Sequence, residues 1–544
     1  MILISYILFF ITYCVMSAFI FFKSGIRKKS IRFIVSFYFL YFLMAFLRAF
    51  LFNSLLGVDC DEAMGAINSW SMGRWGIDYF NLTSAPIYLY AWGSGMNILY
   101  PAICIPFVKL FGLNIIAYRT PLILINIIAI GFLAYALLKT FNSKNVLLAL
   151  IIIFLSPATI VNSRWAVESN LFPTIFYLVF AFFILYKKSK SKNHYILMNL
   201  AIALSAYAYS NNWIFLLIFV ILILLWQWKI KWISIKQLAL TVIAYIIIEI
   251  PLIAFLFVNY VSHKTITIFG LSISKMDATR SVFVNFTLKD ILLNIKNVFM
   301  MFLTGFDGNP KMGIVNLGPF LPFMLTFFII GLILLLNHKN KTDDFMIIML
   351  ISLLPNIIFI YPNWIHCNAL ILPILYFEYR GVEQVFKTKK SLSAFILLFF
   401  ALLGIYTKEY VKGYTLNFNN GQNNTPIELE SMLHRANAMY KETYLVADKD
   451  NDGTNVPAMF LLPIFYNKID PFTFHNETKK VKAAEFRQID DYGKWHIRDM
   501  SSIKESKMKK NTIYIIQNRA RPSRFSNNIR LIKRGNYYTM LMKN

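Results

Sequence analysis

The sequence predicts an all-α polytopic membrane protein with about 12 transmembrane helices and a small α/β domain outside the cytoplasm. Of its 544 residues, 58% are hydrophobic and only 15% are charged, a composition far outside the range of soluble domains. The apolar residues form repeated runs, each long enough to cross a bilayer core about 30 Å thick. From about residue 408 the sequence changes to a mixture of charged, polar and apolar residues. These observations exclude a soluble enzyme and an enzyme with a single membrane anchor.

Short clusters of Lys and Arg between the apolar runs predict the orientation of the chain. The formal net charge of +27 could indicate a nucleic acid partner. Basic clusters at the ends of apolar runs are, however, typical of cytoplasmic loops, so we expect no nucleic acid partner. The clusters that we place in the cytoplasm are 23–32, 139–144, 187–192, 229–236, 338–344 and 387–390. The resulting spans, with both termini outside, are 2–22, 31–56, 118–138, 146–162, 172–186, 195–210, 213–228, 237–258, 316–337, 345–361, 366–381 and 391–407.

Two apolar segments need separate treatment. The basic residues near the first run follow it rather than precede it, so we interpret 2–22 as a retained span and not as a signal peptide. The stretch 97–113 would invert the charge alternation if it crossed the membrane, and it contains two prolines and Lys109. We expect an interfacial or re-entrant segment there.

The chain is predicted to consist of two domains. Residues 1–407 form the membrane domain, with extracytoplasmic loops at 57–96 and 259–315, and residues 408–544 form an extracytoplasmic soluble domain. The secondary structure predicted for this tail is a helix at 427–440 and strands at 443–447 and 513–516.

Acidic residues are the rarest charged class in the membrane part, so their positions carry information. The acids among the first 260 residues are Asp59, Asp61, Glu62, Asp78, Glu168 and Glu249. Four of them lie in the loop 57–96. A transporter would more often spread ionisable groups through the bilayer, so this clustering favours a site at the outer surface. Glu249, the one acid that we place deep in an apolar span, is expected to be neutral or paired, and we assign it no catalytic role.

The start of the first loop has a structural interpretation. Asp59 and Glu62 have the spacing of an N-cap and the third residue of a helix, and this capping box predicts a helix that runs to about Trp70. Asp61 is not needed as a cap. It could stabilise the N-terminus of the helix electrostatically, or it could act as a general base beside the membrane surface.

A series of motifs carries a resemblance to a known superfamily. The motifs, in order, are Asp61-Glu62-Ala63, Trp92-Gly93-Ser94-Gly95, FVKLFGLN at 107–114 and YRTP at 118–121. Together they resemble the first extracytoplasmic loop of the GT-C membrane glycosyltransferases, in particular the protein-O-mannosyltransferase-like glycosyltransferase family 39. The segment SRWAVESN at 163–170 is similar to a loop of bacterial members, so the resemblance covers residues 57–173. The chain departs from the family in its extra first helix, in the absence of Lys-Pro-Pro after the first loop, and in a tail that does not resemble a β-trefoil.

The resemblance implies a GT-C-like fold and an activity. The protein would be a hexosyltransferase that takes a monosaccharide from a polyprenyl phosphate and transfers it, with inversion, to a cell-envelope glycan, a lipid or a protein. Asp61 matches the first acid of the family's Asp-Glu pair and would be the general base. Glu62 would orient the acceptor, or it would only close the capping box. The implied location is the plasma membrane, with the active site on the extracytoplasmic side.

Four further residues are candidates for substrate binding. Arg119 and Arg164 lie at predicted outer helix ends in the resembling segments, where they could bind the lipid phosphate or extend to lipid head groups. Glu168 follows Arg164 by four residues and could form an ion pair with it. His366, in the segment YPNWIH, could contact the phosphate or a metal, or it could simply be solvated.

No cofactor is certain from the sequence. A divalent cation could bind through Asp61, Glu62 or Glu168, although no metal-type His-Glu spacing is present. The tryptophans near predicted outer ends, which could stack on sugars or belong to the interfacial aromatic belt, are Trp70, Trp75, Trp92 and Trp364.

Two other functions stay open at this stage. A transporter or flippase of lipid-linked glycans would share the helix count and the basic loops, but it would predict coupling residues in the membrane and paired halves. A structural or assembly protein would use the tail as a binding module. The motifs do not identify the sugar, the acceptor or the length of the lipid.

Overall fold

The computed structural model describes the greater part of the chain. The described residues are 1–53, 58–268, 271–278, 287–304, 307, 319–336, 340–417, 424–425, 428–439, 441–447, 459–478, 489–499, 508–518 and 528–543. Parts of the predicted loop 259–315 and of the predicted span 316–337 lie outside them.

Long apolar helices dominate the described residues, and this confirms the predicted all-α membrane fold class. The α-helices are α1 (Ile2–Lys23), α2 (Ile31–Ala49), α3 (Cys60–Trp75), α4 (Leu99–Phe111), α5 (Ile115–Thr140), α6 (Ser143–Phe154), α7 (Pro157–Asn162), α8 (Glu168–Ser189), α9 (Lys192–Ala206), α10 (Trp213–Lys229), α11 (Ile235–Phe257), α12 (Leu288–Thr304), α13 (Met324–Ile333), α14 (Lys341–Ser352), α15 (Leu354–Phe359), α16 (Ile371–Val385), α17 (Lys389–Asn417), α18 (Glu428–Ala438), α19 (Leu461–Asn467) and α20 (Pro471–Glu477). Among the described residues, eight segments are long and apolar enough to cross a membrane. These eight are Ile2–Lys23, Ile31–Ala49, Ile115–Thr140, Glu168–Ser189, Ser210–Lys229, Ile235–Ser262, Lys341–Phe359 and Lys389–Lys412.

The count of about 12 spans stays a prediction, because the described residues of the other four predicted segments form only shorter helices. These segments are 146–162 (α6 and α7), 195–210 (α9), 316–337 (α13) and 366–381 (α16). The first is interrupted where Ser156 precedes Pro157, which occupies the first turn of α7. The stretch 97–113 forms α4, a helix of 13 residues, and its interfacial position stays a prediction.

Contacts between residues divide the chain into two compact units. The first unit consists of Met1–Phe52, Arg119–Ile253 and Ser281–Gly413, and the second consists of Asn53–Tyr118, Ala254–Arg280 and Tyr414–Asn544. The second unit therefore combines the first loop, part of the second loop and the tail. The predicted division into domains 1–407 and 408–544 remains a prediction about independent folding.

Helices α13 and α16 of the first unit cross with their backbones in close approach. A Cβ atom at Gly331 in α13 would overlap the backbone carbonyl of Phe377, and one at Gly381 in α16 would overlap the carbonyl of Phe327. Glycine at both positions removes the side chains that would separate the two helices.

The tail contributes a six-stranded sheet to the second unit, as the sequence predicted for a small α/β region. The strands of the whole chain are β1 (Val58–Asp59), β2 (Tyr88–Leu89), β3 (Met96–Asn97), β4 (Ile266–Ile268), β5 (Leu271–Ile273), β6 (Asn424–Thr425), β7 (Thr443–Ala447), β8 (Asp491–Tyr492), β9 (Trp495–Asp499), β10 (Thr512–Gln517), β11 (Ile529–Arg534) and β12 (Tyr538–Lys543). The order in the sheet is β11-β12-β10-β7-β9-β8, and β7 pairs in parallel with both of its neighbours. The strands predicted at 443–447 and 513–516 are β7 and most of β10, and the predicted helix is α18.

The first loop and the tail are joined within the second unit. Strand β1 pairs with β6, so that Val58 lies opposite Thr425 and Asp59 opposite Asn424. Helix α3 follows β1 directly and packs on α4, where the Ser69 hydroxyl donates to the carbonyl of Pro101 (2.8 Å). The N-terminus of α3 is therefore held by a strand pair on one side and by helix packing along its length.

Candidate functional site

Helix α3 begins with the predicted capping box. Asp59 is the N-cap, and its Oδ1 accepts a hydrogen bond from the backbone N–H of Asp61 (2.8 Å). The Glu62 carboxylate accepts from the backbone N–H of Asp59 (3.4 Å). Both side chains are buried. The contact described for Glu62 is thus that of a helix cap, and its role in orienting an acceptor stays a prediction.

The Asp61 carboxylate is held by Trp92. The indole Nε1 of Trp92 donates to Asp61 Oδ1 over 2.8 Å, across 31 positions of sequence. Trp92 has a φ of 53°, a left-handed backbone conformation that is rare for a bulky residue and that is often found at functional sites. The glycines that follow, Gly93 and Gly95, also have positive φ. The turn therefore fixes one carboxylate oxygen of Asp61, which is only partly buried.

An aromatic cleft of about 470 Å³ adjoins Trp92 within the second unit. Its aromatic lining comes from the first loop (Phe80, Tyr90 and Trp92) and from the tail (Phe460, Phe474 and His475). The phenyl ring of Phe80 packs edge-on against Phe460 and Phe474, with centroid distances of 6.3 and 5.9 Å. The rings of Trp92 and His475 are partly exposed. Apolar rings with polar edges are suited to the faces and hydroxyl groups of a sugar.

Asp78 organises the loop that carries the cleft. Its Oδ1 accepts from the backbone N–H groups of Phe80 and Asn81 (2.8 Å each), and its Oδ2 accepts from that of Tyr90 (2.7 Å). The carboxyl group is 1% exposed. Burial raises its pKa to about 6, against the opposing effect of the three N–H donors. Asp78 was noted from the sequence only as one of the acids in the loop, and its structural role follows from these three contacts.

We expect Asp78→Asn to lower the unfolding free energy by about 1–3 kcal/mol at neutral pH, because the amide group would present N–H donors to the N–H of Tyr90. The raised pKa of Asp78 means that the part of the stability that depends on protonation of this carboxyl group is largest below pH 3.8 and is lost as the pH rises through about 6, whereas the hydrogen bonds to the three N–H groups remain. Thermal unfolding of the purified protein between pH 4.5 and 7.5 measures both effects. Glu430→Gln, at an exposed acid in α18, is the matched control and should be nearly neutral. Equal unfolding temperatures for Asp78→Asn and the control would contradict the assignment.

Both predicted arginines are buried in the first unit at the C-terminal end of α2. Arg119 Nη1 donates to the carbonyl of Phe52 (3.1 Å). Arg164 donates to the carbonyls of Leu47 (3.2 Å) and Phe50 (2.5 Å). Leu47 lies in the last turn of α2, Phe50 is its C-cap and Phe52 lies beyond the helix, so the arginines bind carbonyls at and just after the end of α2, where partners inside a helix are missing. With 0% and 5% of their surfaces exposed, the two arginines do not extend to lipid head groups.

The neighbouring segment buries polar atoms that have no hydrogen-bond partner among the described residues. These atoms are both side-chain amide atoms of Asn162, the hydroxyl of Ser169 and Oδ1 of Asn170. Each of the three residues is at most 2% exposed. A buried polar group without a partner costs about 1–3 kcal/mol, so this arrangement favours a polar ligand or ordered water beside these groups.

The remaining two predicted binding residues, Glu168 at the start of α8 and His366 in a loop, lie in the first unit. Glu168 is the first residue of α8 and is buried. The backbone of Val167, directly before it, is extended, so Arg164 and Glu168 do not lie on one helix and their spacing of four residues does not by itself predict an ion pair. His366 has its Nδ1 2.6 Å from the carbonyl of Tyr361, within its own loop. Roles of Glu168 and His366 in substrate binding stay predictions.

Arg48 and Glu378 are buried charged residues that the sequence analysis did not single out. Arg48 in α2 donates to Asn126 Oδ1 (2.6 Å) and to two backbone carbonyls. Glu378 in α16 is 2% exposed and lines an apolar cavity of about 700 Å³. The interpretation of Glu249 as the one acid deep in an apolar span stays a prediction, because Glu378 lies three residues from the end of the predicted span 366–381. A single acid hardly lowers the hydropathy of a window, and the signal that could have found Glu378 is its position inside the predicted span 366–381.

The residues at the start of α3 could hold a divalent cation. Asp59, Cys60 and Asp61 have donor atoms that all lie within 4.8 Å of one another. The Asp59 carboxylate already serves as the cap, and the mixture of oxygen and sulfur donors does not select one metal. Binding of a divalent cation therefore stays a prediction, and proton transfer to a carboxylate does not require one.

Comparison with known proteins identifies the fold. No protein-family model matches the sequence, and no curated protein matches it. The structure is similar to that of ArnT from Cupriavidus metallidurans bound to undecaprenyl phosphate, with a TM-score of 0.52 and 12% identity over 93% of this chain and 97% of that chain. Weaker matches are the Archaeoglobus fulgidus oligosaccharyltransferase in complex with Zn and sulfate (TM-score 0.45, 10% identity, 78% of this chain and 61% of that chain) and the arabinofuranosyltransferase AftD from Mycobacteria (0.34, 12%, 90% and 35%). The chain thus has the GT-C fold, as its motifs predicted.

Proposed function

We propose that the protein is an integral membrane glycosyltransferase that transfers a monosaccharide from a polyprenyl-phosphate donor to an extracytoplasmic hydroxyl group, with Asp61 as general base. The observation that carries this proposal is the Asp61 carboxylate, fixed through one oxygen by Trp92 beside an aromatic cleft. The GT-C fold supports the assignment, because membrane glycosyltransferases have this fold. The proposed location is the plasma membrane, and the basic clusters favour an orientation in which the reaction takes place outside the cytoplasm.

The donor is proposed to be a polyprenyl phosphate sugar. The ArnT structure with the same fold was solved with undecaprenyl phosphate, which supports a lipid of this class. A phosphate leaving group needs its negative charge stabilised, and guanidinium groups provide charge-assisted hydrogen bonds for this purpose. Arg119 and Arg164 are the residues that we propose for it, together with the buried polar atoms of Asn162, Ser169 and Asn170 that have no hydrogen-bond partner in the described part of the chain.

The proposed reaction is a single displacement at the anomeric carbon. The Asp61 carboxylate takes the proton of the acceptor hydroxyl, and the acceptor oxygen forms the new bond to the anomeric carbon. The bond between that carbon and the phosphate oxygen breaks, and its electron pair leaves with the lipid phosphate. Attack from the face opposite the phosphate inverts the anomeric configuration. Neither oxidant nor reductant is required.

The aromatic cleft favours a saccharide among the three acceptor classes that the resemblance leaves open. Its rings are contributed by the first loop and the tail, and Trp92 belongs both to the cleft and to the hydrogen bond with Asp61. A sugar ring stacked on these rings would have hydroxyl groups near the carboxylate. A cell-envelope glycan is therefore the acceptor that we propose.

A release assay tests the function. The purified protein is incubated with a panel of polyprenyl-phosphate monosaccharides and glycan acceptors, and the free lipid phosphate and the glycosylated acceptor are quantified. We expect both products to appear in equal amounts for one member of the panel. Movement of the intact donor across proteoliposome membranes without release of lipid phosphate would instead identify a flippase and would contradict the proposal.

A further inference from the structure

A second pocket lies in the first unit, where lysines from different predicted cytoplasmic clusters meet. Its volume is about 590 Å³, and it is formed by the turns that connect α8 to α9 and α10 to α11. The residues that matter for its chemistry are Lys190, Lys192, Lys231, Tyr186, Tyr195 and Trp232. The clusters 187–192 and 229–236 were predicted separately from the sequence, and packing of the helices brings them together.

Trp232 is the centre of this arrangement. The ammonium Nζ of Lys190 lies 2.9 Å from the centroid of the Trp232 ring and 5.0 Å from that of Tyr186. Lys341, from the cluster 338–344, has its Nζ 4.9 Å from the Trp232 centroid. The hydroxyl of Tyr186 donates to the backbone carbonyl of Trp232 (2.8 Å). The ring therefore has a fixed position and gathers cations by cation–π attraction.

The backbone conformation of two lysines supports a built site. Lys190 ends α8 with a φ of 54°, and Lys231 follows α10 with a φ of 56°. Both conformations are left-handed, a region that residues other than glycine, asparagine and aspartate rarely adopt. Two lysines in this conformation at neighbouring turns line the same pocket.

The positive charge of the pocket is not balanced by its own lining. In the part of the chain that the structure describes, no Asp or Glu lines it. Burial, together with repulsion from Lys341 and Lys187, lowers the pKa of Lys190 to about 8. Concentrated ammonium groups without a carboxylate are a binding site for an anion, which would relieve their mutual repulsion.

We propose that this pocket binds the phosphate group of an anionic phospholipid of the cytoplasmic leaflet. The candidate spans Glu168–Ser189, Ser210–Lys229 and Ile235–Ser262 border it, so it lies at the ends of membrane helices. Basic pockets between such helices on the cytoplasmic side are suited to lipid head groups, and Tyr and Trp rings are typical of the same interface. Trp228 and Leu225, at the end of α10, expose apolar surface that acyl chains could cover. The phosphate contacts Lys190 and Lys231, and the acyl chains remain in the bilayer.

Lipid titration of the purified full-length protein in detergent, followed by native mass spectrometry, tests this proposal. The probes are phosphatidylglycerol, phosphatidylcholine and inorganic phosphate. We expect phosphatidylglycerol to bind more tightly than phosphatidylcholine, and the double variant Lys190→Gln with Lys231→Gln to bind it roughly tenfold more weakly. The matched control is Lys28→Gln with Lys29→Gln, which removes the same charge from exposed residues of the first cluster.

Two kinds of result would contradict the proposed lipid site. An equal loss of affinity in the control variant would show that phosphatidylglycerol responds only to general surface charge, and unchanged affinity in the Lys190→Gln, Lys231→Gln variant would show that it binds elsewhere. Either result would overturn the proposed lipid site. Competition by inorganic phosphate at the same concentration as the lipid would assign the pocket to soluble phosphate and would overturn the lipid assignment. Size-exclusion profiles identical to the wild type confirm that the variants are folded.

Discussion

Replacing Asp61 by Asn is expected to reduce sugar transfer by about 10²–10⁴-fold, the usual contribution of a general base. The amide cannot take a proton from the acceptor hydroxyl, but its Oδ1 can still accept the hydrogen bond from Trp92 Nε1. The fold and donor binding should therefore persist while kcat falls. Steady-state kinetics of lipid phosphate release, with donor affinity measured separately, check this prediction.

The neighbouring acids provide matched controls. Asp59→Asn makes the same chemical change two residues away, and Asn is as good an N-cap as Asp, so activity should stay within about threefold of the wild type. Glu62→Gln retains an oxygen for the backbone N–H of Asp59 and separates the two roles considered for this residue. Equal losses for Asp59→Asn and Asp61→Asn would indicate the helix cap or a bound cation rather than a base at Asp61.

Adding a methyl group where α13 and α16 cross is expected to have the largest effect on folding. In Gly331→Ala or Gly381→Ala, the new Cβ would overlap the backbone carbonyl of Phe377 or Phe327, and neither backbone can move without separating the helices. We expect a loss of about 3 kcal/mol or more in unfolding free energy, because overpacking against backbone cannot relax through a rotamer change. Thermal unfolding in detergent measures the loss.

Gly404→Ala is the control for this crossing. Gly404 lies in α17, and a Cβ there would meet no atom within 4 Å among the described residues. Alanine has the higher helix propensity, so the unfolding temperature should stay the same or rise slightly. If all three variants unfolded at the temperature of the wild type, the close approach of α13 and α16 would be refuted.

Local features of the fold could be predicted from the sequence because they depend on residues close together in the chain. The capping box of Asp59 and Glu62 needs only a spacing of three residues, and it was found as predicted. The strand 443–447 needs only its own apolar side chains. Helices such as α1 and α8 follow from uninterrupted apolar runs.

Contacts over long sequence distances could not be predicted in the same way. Trp92 was interpreted as part of a resembling motif and as a residue for stacking or for the interfacial belt, because nothing in its neighbourhood indicates that its indole N–H donates to Asp61. Arg119 and Arg164 were placed at outer helix ends, but the carbonyls of Phe52 and Phe50 that they bind lie just after the end of α2. Such partners depend on how the helices pack, which hydropathy and motif spacing do not encode.

The anomeric configuration of the transferred sugar is the most direct test of Asp61 as a base. A donor with a single, known linkage to the lipid phosphate is used, and the new glycosidic bond is assigned by NMR. Deprotonation of the acceptor by Asp61 and direct displacement of the phosphate require the opposite configuration in the product. A product with the configuration of the donor would require two displacements and a carboxylate that attacks the sugar itself, and it would contradict the role assigned to Asp61.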